Sequence, residues 1–308
     1  MSRFFEKTEI DSFGNVYGIR RASKRGAKTL LLDAHIDEIG LVVTGTTKEG
    51  FLKFTALGGV DTRILPAQEV IVLSDPPRRG VITSVPPHLD SVDLMTGFYI
   101  DIGDEDDTSS VEIGTPVVFA NEPLKLRENF FSARALDDRA SLAAILRAVD
   151  MLKNKKLNIN LVCAASTQEE LGLRGAVVAG YKVKPDYALV VDVTHATAPG
   201  VDKSLSFKPG SGVSIGVGPN MTRKVSDCLL NLAKEKKIAH TVEVCGGYSG
   251  TNAWVLQISR DGIATGLLSI PLKYMHTPVE TVKKNDIESC AKLIAEFVLH
   301  LSAGGGSL

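Results

Sequence analysis

The chain has 308 residues, 44% of them hydrophobic and 23% charged, with 35 Lys and Arg against 36 Asp and Glu for a formal net charge of -1. Such a composition belongs to a folded globular protein rather than a disordered one, and the length suits one large domain or a large domain carrying a smaller one. Near-neutral charge lacks the clustered basic excess that attracts nucleic acid or anionic lipid, and every apolar run is broken well short of the ~20 residues that cross a bilayer, so no nucleic-acid or membrane partner is expected.

The opening stretch MSRFFEKTEI alternates charge with bulk and has no long apolar segment of the secretory kind. The four cysteines, Cys163, Cys228, Cys245 and Cys290, form no C-x-x-C pair. They read as small buried apolar residues, and a cytoplasmic location is expected.

In chain order, β-rich runs predict strands over 14–20, 29–33 and 38–46. From about 47 to 127 the texture changes. Short β-like runs (69–73, 80–84 and 115–119) are separated by Pro-Pro pairs, glycines and the acidic cluster 104–107, which reads as a solvated loop. This stretch reads as a small all-β insertion. After it, Leu142, Ile145, Leu146, Val149 and Leu152 recur at helical spacing. Strands (157–165, 187–193, 239–244, 263–269) then alternate with helices (171–179, 221–237, 251–260, 284–300), and the glycine-rich tail from 302 reads as flexible. Such alternation predicts an α/β fold, a largely parallel mixed sheet flanked by helices. The division is 1–46 plus 128–308 for the main domain, with 47–127 as an inserted, small β-barrel-like domain.

In α/β sheets ligands gather at the carboxyl ends of strands, and the predicted strand ends carry titratable residues with unusual regularity. His35 and Asp37 end one, Glu169-Glu170 follow another, Asp192 ends a third and His276 follows a fourth, while Asp137-Asp138 precede the amphipathic helix. Singly, each has a structural explanation: a satisfied strand-end histidine, a helix cap, a solvated turn. Together at one end of a sheet they would repel and lose hydration unless a cation neutralised them. An oxygen and nitrogen donor set without thiolate suits catalytic Zn, Co or Mn, and the number of candidates suits two divalent ions with a shared water. One glutamate of the Glu169-Glu170 pair could then bind metal while the other takes a proton.

The motifs AHIDEIG (34–40), LGGVDTRIL (57–65), IDIGDEDD (100–107), ALDDR (135–139), TQEELGLRGA (167–176), VVDV (190–193) and IPLKYMHTPVE (270–280) resemble the M42 family of dinuclear metallo-aminopeptidases, the group with glutamyl aminopeptidase and the tetrahedral TET peptidases. The resemblance implies a dinuclear zinc-peptidase-like catalytic domain and hydrolysis of the first peptide bond of peptides with a free N-terminus. It assigns His35, Asp192 and Asp137 to one ion and His276, Glu170 and Asp137 to the other. Glu169 would be the general base, with Asp37 orienting His35 from behind. It also implies a cis peptide after Asp137, a dimerisation and lid role for the inserted domain, and a homo-oligomer, a dimer or a dodecamer built from dimers. Two positions depart from the family pattern, Asn252 where Gly-Thr-Asp-Ala is usual and Lys273 where Arg is usual, and both are expected near the substrate. The family's usual N-terminal helix with its Ser-Gly-x-Glu turn does not precede the first predicted strand.

Three rival readings are weighed against this one. Gly212-Val-Ser214-Ile-Gly216 matches the nucleophile elbow of serine hydrolases, but a glycine-containing strand explains the same letters and Gly218-Pro219-Asn220 interrupt the required helix. A metal-dependent deacylase would use the same ions on another amide. A non-catalytic assembly protein would have no use for Glu169. His88, His195, His240 and His300 lie outside the motifs and read as structural or surface residues, and Trp254 reads as helix packing.

Overall fold

The computed structural model describes residues 1–83, 97–103 and 111–304. Two strands, β1 (Lys7–Ile10) and β2 (Val16–Arg20), form a hairpin, and β3 (Thr29–His35) follows. The chain then leaves for a closed barrel made by β4 (Gly40–Thr46), β5 (Leu52–Leu57), β6 (Glu69–Val72), β7 (Arg78–Thr83), β8 (Tyr99–Asp101) and β9 (Pro116–Phe119), joined in the order β4-β5-β8-β7-β6-β9. It returns through β10 (Leu124–Lys125) and β11 (Phe130–Ala133), which pair antiparallel. The remainder alternates: α1 (Leu136–Met151), β12 (Asn160–Ser166), α2 (Arg174–Val183), β13 (Tyr187–His195), β14 (Val213–Val217), α3 (Arg223–Glu235), β15 (His240–Val244), α4 (Ala253–Leu256), β16 (Ala264–Lys273), β17 (Glu280–Lys283) and α5 (Lys284–Ser302).

Outside the barrel the strands form one 11-stranded mixed sheet in the order β1-β2-β12-β3-β13-β16-β17-β11-β10, with β14 and β15 branching from β16. Its centre, β12-β3-β13-β16, is parallel. Period-2 alternation makes these strands two-faced. Leu30, Leu32 and Ala34 of β3 join Ala144, Ile145 and Ala148 of α1 and Leu293, Ile294 and Phe297 of α5 in one core. Leu31 faces the other way, into a smaller core with Ala176 and Ala179 of α2 and Ala253 and Leu256 of α4. Each large side chain so buried stabilises the fold by about 1.5–3 kcal/mol. The barrel has its own core, including Leu41, Val43, Leu52, Val70, Ile82, Ile100 and Phe119.

The barrel takes in Gly40–Thr46, which the sequence reading places with the first catalytic segment. Strand patterning is the same on both sides of that junction, so composition cannot mark it; the chain crosses from sheet to barrel within 36–39. The predicted helix 171–179 begins instead at Arg174. The Glu169 carbonyl accepts the amides of Gly172 and Leu173, and the resulting turn occupies the first residues. The predicted helix 251–260 shrinks to Ala253–Leu256, because Ser259–Gly262 turn back to start β16. Trp254 is 36% exposed and meets Tyr248 edge-on rather than joining the core. Of the cysteines, Cys163 and Cys290 are buried, whereas Cys228 and Cys245 are half-buried. The predicted acidic loop 104–107, His88 and the end of the tail lie outside the described residues.

Candidate metal centre

The parallel strands β3, β12 and β13 deliver their carboxyl ends to one edge of the sheet, and α1 starts beside them. His35 is the last residue of β3 and is 1% exposed. Its Nε2 lies 2.9 Å from Asp137 Oδ1 and 3.9 Å from Glu169 Oε2, while its Nδ1 faces the Asp37 carbonyl at 3.1 Å. Asp137 and Asp138 open α1 with non-helical backbone and are joined by a cis peptide bond. Asp138 is fully buried, and one of its oxygens accepts the His35 amide at 3.3 Å. Asp192, on β13, is buried nearby.

His276 approaches from the far side, after β16. Its Nε2 stands 3.5 Å from Glu170 Oε2 and 3.6 Å from Asp137 Oδ2. Its Nδ1 faces the Gly59 carbonyl at 3.2 Å, so a loop of the barrel orients this imidazole. A side chain at Gly59 would overlap that ring, its Cβ falling 2.6 Å from Nδ1, which explains the glycine at 59. Non-glycine residues in the left-handed region cluster here: Ala135, Gln168, Tyr274 and His276.

Two sets of donors come within 4.8 Å of one another, His35 with Asp137 and Glu170, and His35 with Asp138 and Asp192. The structure thus brings His35, Asp137, Glu169, Glu170, Asp192 and His276 to one place. It also gives a place to two residues outside the expected site assignments. Asp138, absent from the expected ligand set, sits with Asp192; its adjacency to Asp137 was the available signal. Glu280, the last residue of the IPLKYMHTPVE motif, is 2% exposed and accepts the backbone amides of Asp137 at 3.0 Å and His276 at 3.0 Å. It ties the two sides of the cluster together. Asp37 has a second post beside the one expected. Its carboxylate stands 3.5 Å from His35 but accepts the amides of Glu169 at 3.1 Å and Glu170 at 3.2 Å, so it anchors the glutamate turn as well as backing the histidine.

The electrostatics follow from burial. Desolvation, with Asp137 and neighbouring carboxylates reinforcing it, raises Glu169 and Glu170 to about 7 and Glu280 to about 8. Asp138 and Asp192 are pushed well above the ordinary carboxylate range by burial first and then by nearby carboxylates. Burial would lower His35, but Asp137 and Asp37 raise it well above its usual value. For Asp37, burial is outweighed by His35 and the two amides, which hold it low. Arg134 and Arg139, which flank Asp137-Asp138 in the chain, both pair with Glu38. Among the described residues, Asp138 Oδ1 is buried without a hydrogen-bond partner. A dry, carboxylate-rich pocket with two imidazoles and an unpartnered oxygen fits divalent cations.

The remaining expectations have mixed outcomes. Asn252 is 1% exposed and lies inside the fold rather than on a substrate surface, and Lys273 extends over the Phe130 ring at 5.1 Å. Ser214 sits mid-strand in β14, bonded to Thr241 at 2.7 Å, and no strand-to-helix elbow surrounds it. His195 is exposed at the end of β13, and His240 Nδ1 faces the Ile238 carbonyl at 2.8 Å.

Parallel strands ending in buried carboxylates and imidazoles, with a glutamate held beside them, define the class of metallohydrolases built on an α/β sheet. Within that class the family is specific. The model of the M42 glutamyl aminopeptidase family matches residues 14–293, and the chain belongs to this family of aminopeptidases. A lysyl aminopeptidase of Pyrococcus furiosus is 35% identical over 300 residues, 94% of this chain and 85% of that protein. An aminopeptidase structure from the archaeon Desulfurococcus kamchatkensis superposes with a TM-score of 0.88 at 34% identity, covering 96% of this chain and 85% of the other. The TET1 peptidase of Pyrococcus horikoshii, described as assembling into a tetrahedron or a large octahedral shell, superposes with a TM-score of 0.83 at 31% identity over 96% of this chain and 90% of its own.

Proposed function

We propose that this protein is an aminopeptidase using two divalent cations, Zn or Co with Mn as a further candidate, to release the N-terminal residue of peptides. The observation that carries the reading is the convergence of His35, Asp137, Glu170, Asp192 and His276 on one place beside Glu169, buried on all sides but that of His276. His35, Asp137 and Asp192 would hold one ion, and His276, Glu170 and Asp137 the other. Asp138 is positioned to support the first set, beside His35 and Asp192. When bound, such ions make water acidic enough to be a nucleophile near neutral pH and polarise the scissile carbonyl.

The protein's own residues do the rest. Glu169 is 9% exposed and, with its carboxyl raised toward neutrality by burial, suits both taking a proton from the attacking water and returning it to the leaving amine. Asp37 fixes the backbone from which Glu169 projects, and Glu280 fixes that of Asp137 and His276. The barrel loop at 58–59 lies over Glu170 and His276, which supports a role for the inserted domain in shaping access to the site. The assembly described for the Pyrococcus horikoshii relative supports a homo-oligomer. Among the described residues, no helix is long and apolar enough to cross a membrane.

Metal analysis combined with turnover of aminoacyl amides tests the reading. Activity should vanish on chelation, return with Zn or Co, and fail on N-acetylated peptides. Glu169→Gln should lower kcat by about 10²–10⁴-fold while cations still bind. Cleavage of N-acetylated substrates at the same rate would replace the aminopeptidase reading with a deacylase one. Unchanged turnover in Glu169→Gln would remove Glu169 from the chemistry.

A further inference from the structure

Beneath the metal centre lies a second polar cluster that the proposed chemistry does not use. Asp33, Ser166 and Asn252 are each no more than 1% exposed. The Asn252 amide donates to Asp33 Oδ2 at 2.7 Å and to Ser166 Oγ at 2.9 Å, and the Ser166 hydroxyl donates in turn to the same Asp33 oxygen at 3.3 Å. The three side chains close a small ring in which every short contact has one donor and one acceptor. Only an amide at 252 supplies both N–H groups.

The location of the ring gives it a consequence. Asp33 lies two residues before His35 on β3, and Ser166 is paired in register with His35 on β12. The final bond between these strands runs from the Ile36 amide to the Ser166 carbonyl at 2.8 Å. Beyond it they part, β3 toward Asp37 and β12 toward the Glu169-Glu170 turn. Above the parting, Asp37 bridges the gap by holding the amides of both glutamates. Below it, the bridge is Asn252, delivered from a third element. That residue heads α4, whose Ala253 and Leu256 are fully buried in the second core, so the amide is fixed by packing on the sheet rather than by the loop before it.

We propose that Asn252 is a positioning residue for the metal centre: its amide, locked onto Asp33 and Ser166, sets the spacing between the strand end that carries His35 and the one that leads to Glu169 and Glu170. This rests on the metallopeptidase reading above. Without the amide, Asp33 and Ser166 lose their shared donor in a dry interior, where unsatisfied polar groups force rearrangement. The strand ends would then reach the cations at the wrong separation.

The test is titration of Co²⁺ into the chelator-stripped full chain, followed by its visible absorption spectrum, alongside melting temperature and steady-state kinetics with an aminoacyl amide. Asn252→Leu keeps the branched heavy-atom skeleton and removes the donors; it should weaken Co²⁺ binding at least tenfold, alter the spectrum, and lower kcat more than it raises KM. Asn252→Asp should do the same. The exchanged pair Asp33→Asn with Asn252→Asp restores a donor facing an acceptor and should recover binding to within threefold. Should Asn252→Leu not fold, Ser166→Ala, which keeps the Asn252 to Asp33 bond, and the exchanged pair carry the measurement, with Ser166→Ala expected to shift the spectrum slightly. Wild-type Co²⁺ affinity and spectrum in Asn252→Leu, with only the melting temperature lowered, would overturn the positioning role. If Asn252→Leu does not fold, an unchanged spectrum in Ser166→Ala together with no recovery in the exchanged pair would overturn it equally. A wild-type chain that binds no Co²⁺ would instead overturn the metallopeptidase reading.

Discussion

Removing the cations should reverse the way stability depends on pH. In the metal-free chain Glu169 and Glu170 titrate near 7 and Glu280 near 8, against 4.5 for an unburied glutamate, with burial the largest cause in each. A carboxyl whose folded value is raised keeps its proton in the fold at pH values where the unfolded chain has lost it. Its stability contribution is therefore present near pH 4.5 and is lost as pH rises toward 7–8. His35, raised above its ordinary value, acts in the same direction. Raising one glutamate from 4.5 to about 7 is worth about 3 kcal/mol. Because all three glutamates share Asp137 as a neighbour, their contributions do not simply add, and a loss of about 3–6 kcal/mol is expected for the cluster, or about 5–9 °C in Tm for a chain of this size. The assay is calorimetry of chelator-treated and Zn-loaded protein from pH 5.5 to 8.5. The stripped protein should melt progressively lower as pH rises, and the gap between the two forms should widen. A stripped protein whose Tm is flat or rises over that range would refute the claim that uncompensated buried carboxylates dominate the site.

Two further outcomes are expected. Gly175→Ala would set a methyl carbon 2.2 Å from the Thr167 carbonyl oxygen, just ahead of the glutamate turn, and should cost about 1–3 kcal/mol, read as a fall of several degrees in Tm by thermal unfolding together with reduced kcat; an unchanged melting curve would show that this approach is not tight. Ser214→Ala removes one hydrogen bond between β14 and β15, worth about 1 kcal/mol, and should leave chelator-sensitive turnover intact in the aminoacyl amide assay; abolished turnover would revive the serine nucleophile.

The strand that ends in His35 and the one that carries Asp192 are legible as continuous apolar runs interrupted by polar residues, and the helix after Asp137-Asp138 by its helical apolar spacing. The helix expected over 251–260 is not realised, since local apolar spacing cannot register that the chain must turn at Ser259–Gly262 to enter β16. Glu280 escaped notice for a related reason. Its neighbours in sequence mark the start of a short strand, and its bonds to the Asp137 and His276 amides exist only once β17 is placed beside α1.

Sequence by itself therefore determined which residue types could carry metal chemistry and on which kinds of element they sit, because donor chemistry and hydrophobic periodicity are local properties. Tertiary structure alone decided that Asp37 grips the glutamate turn, that Gly59 of the barrel orients His276, and that Asn252 is buried against Asp33 instead of facing a substrate. Those contacts join residues separated by 132 positions or more, and no pattern along the chain encodes a distance that only packing establishes.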